Sequence, residues 1–116
     1  MITVDVPGYR KLELRHLVLD YNGTLAVDGN LVEGAGDLLT RLADQLDVHV
    51  ITADTFGKVK AAMADITCTI SILPPGSQDQ AKLDYITDLG AARTVCMGNG
   101  RNDRLMLEAA GLGVAV

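Results

Sequence analysis

Asp20-Tyr21-Asn22-Gly23-Thr24-Leu25 stands directly behind the apolar run Leu17-Val18-Leu19. A short apolar run of this kind reads as a buried strand. The carboxyl edge of an open α/β sheet is where ligands bind. Asp20 is therefore placed to act as a nucleophile or a metal ligand, and Gly23 lets the backbone turn sharply beside it. Asn22, two residues on, sets how much acid–base chemistry the site can do, because an amide neither gives nor takes a proton near neutral pH. Polar groups follow two further apolar runs: Thr52 after Val48-His49-Val50-Ile51, and the loop Gly98-Asn99-Gly100-Arg101-Asn102-Asp103 after Thr94-Val95-Cys96-Met97. In a parallel sheet the carboxyl ends share one edge, so the three groups converge.

Singly, each residue has a plainer reading. Asn22-Gly23 is a common hairpin turn, and Thr52 a neighbour of a helix cap. Asp54 reads equally well as the N-cap of the next helix. Lys82 alone is a solvated helix lysine, and Asn102-Asp103 an ordinary helix start. Gly98-x-Gly100 suggests a dinucleotide loop, but Asp103 occupies the place of the third glycine. Taken together in order and at this spacing, the four motif pieces favour one site over separate coincidences. His16 and His49 match no motif and read as strand residues; Lys58 and Lys60 read as solvated helix charges.

The elements that must position these groups alternate. Ile2 to Val6 and Leu12 to Leu14, separated by Pro7-Gly8, predict a hairpin leading into the strand ending at Asp20. Asp28-Gly29-Asn30 marks a second tight turn and a small flap. Leu38, Leu39, Leu42, Ala43 and Leu46 recur at helical spacing and predict a helix from about 34 to 46. Val48 to Thr52 is a strand, 56 to 64 a helix, and Cys68 to Leu73 a strand. Pro74-Pro75-Gly76-Ser77 ends at an N-cap, and the next helix stops at Gly90. Thr94 to Met97, a helix through Ala110 and the strand Leu112 to Val116 complete the chain. This order predicts an α/β fold: a three-layer, doubly wound, mostly parallel sheet with helices on both faces.

The chain has 116 residues, 48% of them hydrophobic and 22% charged, which predicts one soluble domain over 1–116. With one Phe, three Tyr and no Trp, the core must be built from aliphatic side chains. A net charge of −5 argues against a nucleic-acid or anionic-membrane partner. No apolar run approaches spanning length and no signal-peptide pattern opens the chain, so a cytoplasmic location is expected. Cys68 and Cys96 belong to no Cys-x-x-Cys pair and read as buried thiols.

With these residues in view, the chain resembles the haloacid dehalogenase superfamily of phosphoryl-transfer enzymes. Its four motifs fall on Asp20 to Leu25, Thr52, Lys82 and Gly98 to Asp103. The wording Asp-Tyr-Asn-Gly-Thr-Leu, with Thr52-Ala53-Asp54 and Gly-Asn-Gly-x-Asn-Asp, looks most like the phosphorylation domain of P-type ATPases and its soluble, stand-alone relatives. The resemblance implies a Mg²⁺-dependent phosphatase in which Asp20 attacks phosphorus and forms an aspartyl-phosphate. It implies that Asn22, Thr52 and Lys82 serve the same chemistry. It places the phosphate against Tyr21, Asn22, Thr52, Ala53 and Lys82, and the metal against Asp20, the Asn22 carbonyl, Asn99 and Asp103. The expected substrate is a small phosphorylated molecule.

Three departures qualify the resemblance. Phosphatases of the superfamily usually carry a second Asp where this chain has Asn22, and losing a positioned acid–base group costs ~10²–10⁴-fold in rate. Asn99 stands where a metal-binding Asp is common, which weakens cation binding. The sequence ends on the strand Leu112 to Val116 where relatives continue with a helix, so self-association into a homo-oligomer is expected. Only 26 residues separate Leu25 from Thr52, too few for a cap or a nucleotide-binding insertion. An ATP-driven pump is therefore set aside. A capless phosphatase is expected, with a catalytically weakened phosphate- or metal-binding domain as the alternative.

Overall fold

Every second side chain of a strand points to the same face, and the three central strands use this to feed two separate cores. In the computed structural model, which describes residues 1–28, 30–53 and 58–116, Leu17 and Leu19 enter one core and Val18 the other. Val48 and Val50 oppose Ile51 in the same way, and Val95 opposes Cys96. Strands buried on both faces require cover on both faces, and the helices supply it.

The elements run β1 (Ile2–Val6), β2 (Arg10–Leu14), β3 (His16–Asp20), β4 (Ala26–Val27), β5 (Asn30–Leu31), α1 (Ala35–Leu42), β6 (Asp47–Thr52), α2 (Lys58–Ala62), β7 (Thr69–Ile72), α3 (Gln78–Leu89), β8 (Thr94–Gly98), α4 (Arg104–Ala109) and β9 (Leu112–Ala115). The main sheet has the order β7-β6-β3-β8-β9. All its pairings are parallel. Leu39 of α1 and Val59 of α2 close one core together with Leu12 and Leu14 of the β1–β2 hairpin. Ile86 of α3 and Met106 of α4 close the other. This is the expected doubly wound sheet, with the Asp20 strand central between the Thr52 strand and the strand of the last motif.

The flap is present as an antiparallel pair, with Ala26 opposite Leu31 and Val27 opposite Asn30. The predicted turn at Gly29, the cap at Asp54 and the first residues of the 56–64 helix lie outside the described residues. The helix predicted for 34 to 46 is shorter, Ala35–Leu42. Turn hydrogen bonds carry the chain on, Leu46 N–H donating to the Leu42 carbonyl at 2.8 Å. Leu46 still reaches the core, which is why its spacing looked helical. Among the described residues, no helix is long and apolar enough to cross a membrane.

His16 and His49 are strand residues, as expected, and meet under α3. His49 Nδ1 lies 2.9 Å from the Tyr85 hydroxyl and its Nε2 lies 3.3 Å from His16 Nδ1. Ser71 Oγ donates to the Tyr85 hydroxyl at 3.1 Å, and His16 Nδ1 is 3.7 Å from the Asp47 carboxylate. Burial, and then the neighbouring His16 charge, hold the His49 imidazole below its ordinary value of 6.5, with Asp47 opposing in part. The unfolded chain therefore binds a proton at this residue before the folded chain does. Stability contributed by neutral His49 is complete above pH 6.5 and is lost as pH falls from there through the lowered folded-state value. Urea midpoints at pH 7.5 and pH 5.5 should fall further for the wild type than for His49→Gln. Equal falls would remove His49 as the cause.

Candidate active site

The register of the parallel sheet brings the motifs together. Asp20 is aligned with Ile51, so Thr52 sits one residue beyond it on the neighbouring strand. Leu19 is aligned with Met97, which sends the Gly98–Asp103 loop out over the same edge. Asp20, Asn22, Thr52, Ala53, Gln78, Lys82, Asn99 and Asn102 line one cleft of about 440 Å³ at this edge.

The loop after Asp20 is folded back by one carbonyl: Tyr21 O accepts the N–H groups of Leu25 and Ala26, each at 2.9 Å. The turn takes Gly23 into the left-handed region at φ 81°, and a Cβ there would overlap the Asn99 side-chain amide. This close approach packs the first and last motifs together. Gly98 does the same on the other side, since a Cβ would overlap the carboxyl group of Asp103.

Lys82 is the electrostatic centre. It rises from α3, is 2% exposed, and its Nζ lies 2.6 Å from Asp103 Oδ1 and 3.3 Å from Asp20 Oδ2. The same ammonium donates to Asn102 Oδ1 at 3.2 Å. Asp103 is fully buried, and its second oxygen accepts the N–H groups of Asn99 at 2.9 Å and Gly100 at 3.0 Å. Burial raises the Asp20 carboxyl above the ordinary 3.8; Lys82 opposes this and the Asp103 charge reinforces it. Burial therefore works against the charged form of this carboxyl, and the fixed ammonium beside it works for it.

Most residues named from the sequence reach the cleft: Asp20, Asn22, Thr52, Ala53, Lys82 and Asn99. The side chains of two others, Tyr21 and Asp103, do not line it. The Tyr21 side chain is buried in the apolar core, so the expected phosphate contact is not made by its ring. Asp103, expected to bind metal, lies behind Lys82 with both oxygens engaged, so a cation could reach it only by displacing the lysine. The carboxylate acts instead as the counter-ion that fixes Lys82. Sequence reasoning did not single out Gln78 or Asn102 as cleft residues. Asn102 lay inside the last motif and could have been drawn from it; Gln78 carried no signal.

Among the residues with hard oxygen donors that line the cleft are Asp20, with its carboxylate, and, on the loops beside it, Asn22 and Asn99. Among the described residues, no three His, Cys, Asp or Glu side chains group as they would around a metal ion.

No known protein-family profile matches the sequence. An uncharacterized protein of Methanocaldococcus jannaschii, MJ0072, is 41% identical over 39 residues, which are 34% of this chain and 89% of that protein. The two belong to one family. Solved structures match over most of the chain at low identity. The cobalt-bound deoxy-D-mannose-octulosonate 8-phosphate phosphatase of Haemophilus influenzae has a TM-score of 0.67 at 16% identity, over 85% of this chain and 66% of its own. A Vibrio cholerae protein assigned as a 3-deoxy-D-manno-octulosonate 8-phosphate phosphatase gives 0.70 at 16% identity, over 97% and 75%. A Streptomyces avermitilis protein assigned as a haloacid dehalogenase family hydrolase gives 0.67 at 18% identity, over 85% and 64%. The chain thus spans about two thirds of the length of the Haemophilus and Streptomyces proteins. Strand order, the placing of the motifs on one edge and these likenesses agree: the chain has the haloacid dehalogenase fold.

Proposed function

We propose that this chain is a Mg²⁺-dependent phosphatase of small phosphorylated molecules, acting through an aspartyl-phosphate on Asp20. The observation that carries the reading is the Asp20–Lys82 pair, 3.3 Å apart on the floor of an open polar cleft at the sheet's carboxyl edge. The phosphatase names of the structural neighbours and the motif wording shared with P-type ATPases support it.

The donor set fits the metal. One carboxylate with a main-chain carbonyl and an amide oxygen suits a hard cation that keeps several waters, and it lacks the nitrogen and sulfur ligands that zinc takes. Asp20, the Asn22 carbonyl and Asn99 would hold it, and when bound it would neutralise charge on the phosphoryl oxygens. The remaining steps belong to the chain's own side chains. Asp20 attacks phosphorus, forming the Asp20–phosphorus bond as the bond to the leaving oxygen breaks. Lys82 offsets charge on Asp20 and the phosphoryl group, and Thr52 offers a hydroxyl to a phosphoryl oxygen. Asn22 cannot supply the leaving group's proton, so good leaving groups are favoured. Water then attacks phosphorus, releases phosphate and restores Asp20.

The two amides, Asn22 and Asn99, favour a second reading, a phosphate- or metal-binding module without useful turnover. Incubation with Mg²⁺ and p-nitrophenyl phosphate separates the two. Nitrophenolate release that stops on adding EDTA supports the phosphatase. Saturable phosphate binding without release supports the module. The metal assignment has its own check: Asn99→Asp adds a second carboxylate and should lower the Mg²⁺ concentration for half-maximal activity by about tenfold. An unchanged requirement would take Asn99 out of the metal site.

A further inference from the structure

Resting on the phosphatase reading, we propose that Tyr85 is a positioning residue for the reaction. Its hydroxyl, held by His49 and Ser71, fixes where α3 lies on the sheet and so keeps the Lys82 ammonium beside Asp20. His16, Val18 and Asp20 alternate onto one face of β3, and His49 and Ile51 onto the same face of β6. α3 covers this face, with Ile86 in one core with Val18 and Ile51. Apolar packing is non-directional, whereas hydrogen bonds weaken steeply with angle. The polar links therefore set the exact seat of the helix.

There is one such link on each side of a single turn. Lys82 reaches Asp103 at 2.6 Å and Asp20 at 3.3 Å. Three residues on, and on the same side of the helix, the Tyr85 hydroxyl lies 2.9 Å from His49 Nδ1 and 3.1 Å from Ser71 Oγ. Lysine carries its charge on a flexible stem, so of its two carboxylate contacts the longer, to Asp20, is the first that a displaced helix would lose.

The Tyr85 link also has a direction. Ser71 donates to the Tyr85 hydroxyl, whose own proton goes to His49 Nδ1; His49 then carries its proton on Nε2, facing His16 Nδ1 at 3.3 Å. A second proton on His49 would occupy Nδ1, turn that acceptor into a donor and break the link. Among the described residues, the titratable groups facing His49 are His16 from β3, Asp47 from its own strand, Tyr85 from α3 and Cys68 just before β7. Burial and His16 oppose the second proton and Asp47 favours it, so the link is intact at neutral pH.

Tyr85→Phe removes the hydroxyl and keeps the ring. With p-nitrophenyl phosphate and Mg²⁺ at pH 7.5, its kcat should fall about 10–100-fold and its KM should change less than about threefold, because a misplaced ammonium matters most as charge develops on the phosphoryl group. The ratio of wild-type to variant kcat should then shrink towards one as pH is lowered through the titration of the His49 ring, followed by its NMR signal, since the wild type loses the same link. Equal kcat at pH 7.5 overturns the proposal. So does a deficit that stays constant while His49 titrates, which is what a merely loosened fold would give. Should Tyr85→Phe show no cooperative urea transition, His49→Asn carries the test: its amide oxygen stands near the place of Nδ1 and does not titrate. The wild type should lose activity relative to His49→Asn over the same pH range, and an unchanged ratio overturns the proposal. A wild type that does not turn over the aryl phosphate removes the phosphatase reading, and this inference with it.

Discussion

Asn22→Asp is expected to raise turnover of n-propyl phosphate by ~10²–10⁴-fold, the usual contribution of a positioned acid–base group. Asn22 is exposed and faces the cleft within the loop that carries Asp20, so a carboxyl there can reach both the leaving oxygen and the water that later attacks phosphorus. The gain should be largest for alkyl esters, whose alkoxide leaves poorly without a proton. It should be smaller for p-nitrophenyl phosphate, which departs as a stable phenolate. The variant should also acquire a new alkaline limb in its pH–rate profile, with activity falling as the carboxyl deprotonates, because the carboxyl must be protonated to assist departure. Steady-state rates on the two esters provide the comparison. No gain on either would mean that another group already moves these protons.

Lys82→Met is expected to destabilise the fold by about 3–5 kcal/mol, the usual cost of removing one partner from a buried ion pair. The Asp103 carboxylate is fully buried, and without the ammonium two backbone N–H groups, among the described residues, would be left to face its charge. Domains of this size typically have only about 5–15 kcal/mol to lose. Chemical denaturation followed by circular dichroism reads the effect. A second substitution separates its cause: Asp103→Leu in the Lys82→Met background should recover much of the loss by removing the stranded charge. A loss below about 1 kcal/mol would show that the pair is solvated and does not organise the site.

The residues that this pair organises were largely legible in the sequence. Apolar runs buried on both faces cannot be mistaken for a solvated sheet, and their alternation with helices left few topologies open. The convergence of Asp20, Thr52 and the Gly98 loop followed from parallel strands alone. Lys82 was harder, because a lysine on a helix is ordinarily solvated; only the strand order places α3 beside Asp20. Asp103 shows the limit of residue type. A carboxylate in a motif loop reads as a metal ligand, and only the fold shows that Lys82 occupies one oxygen and two N–H groups the other. Gln78 was invisible for a similar reason, since its orientation depends on the Pro74 carbonyl four residues earlier.

The shortening of α1 teaches a related point. The spacing of Leu42, Ala43 and Leu46 reports which side chains face the core, and a turn that keeps them inward satisfies it as well as a helix does. Boundaries are therefore set by hydrogen bonds that the apolar pattern does not encode.

Acid quenching of the wild type during turnover of p-nitrophenyl phosphate, followed by mass analysis of its fragments, tests the covalent step most directly. One phosphoryl group should appear on the fragment containing Asp20, and both the label and turnover should vanish in Asp20→Ala. Label on a different fragment, or turnover that persists in Asp20→Ala, would contradict the mechanism.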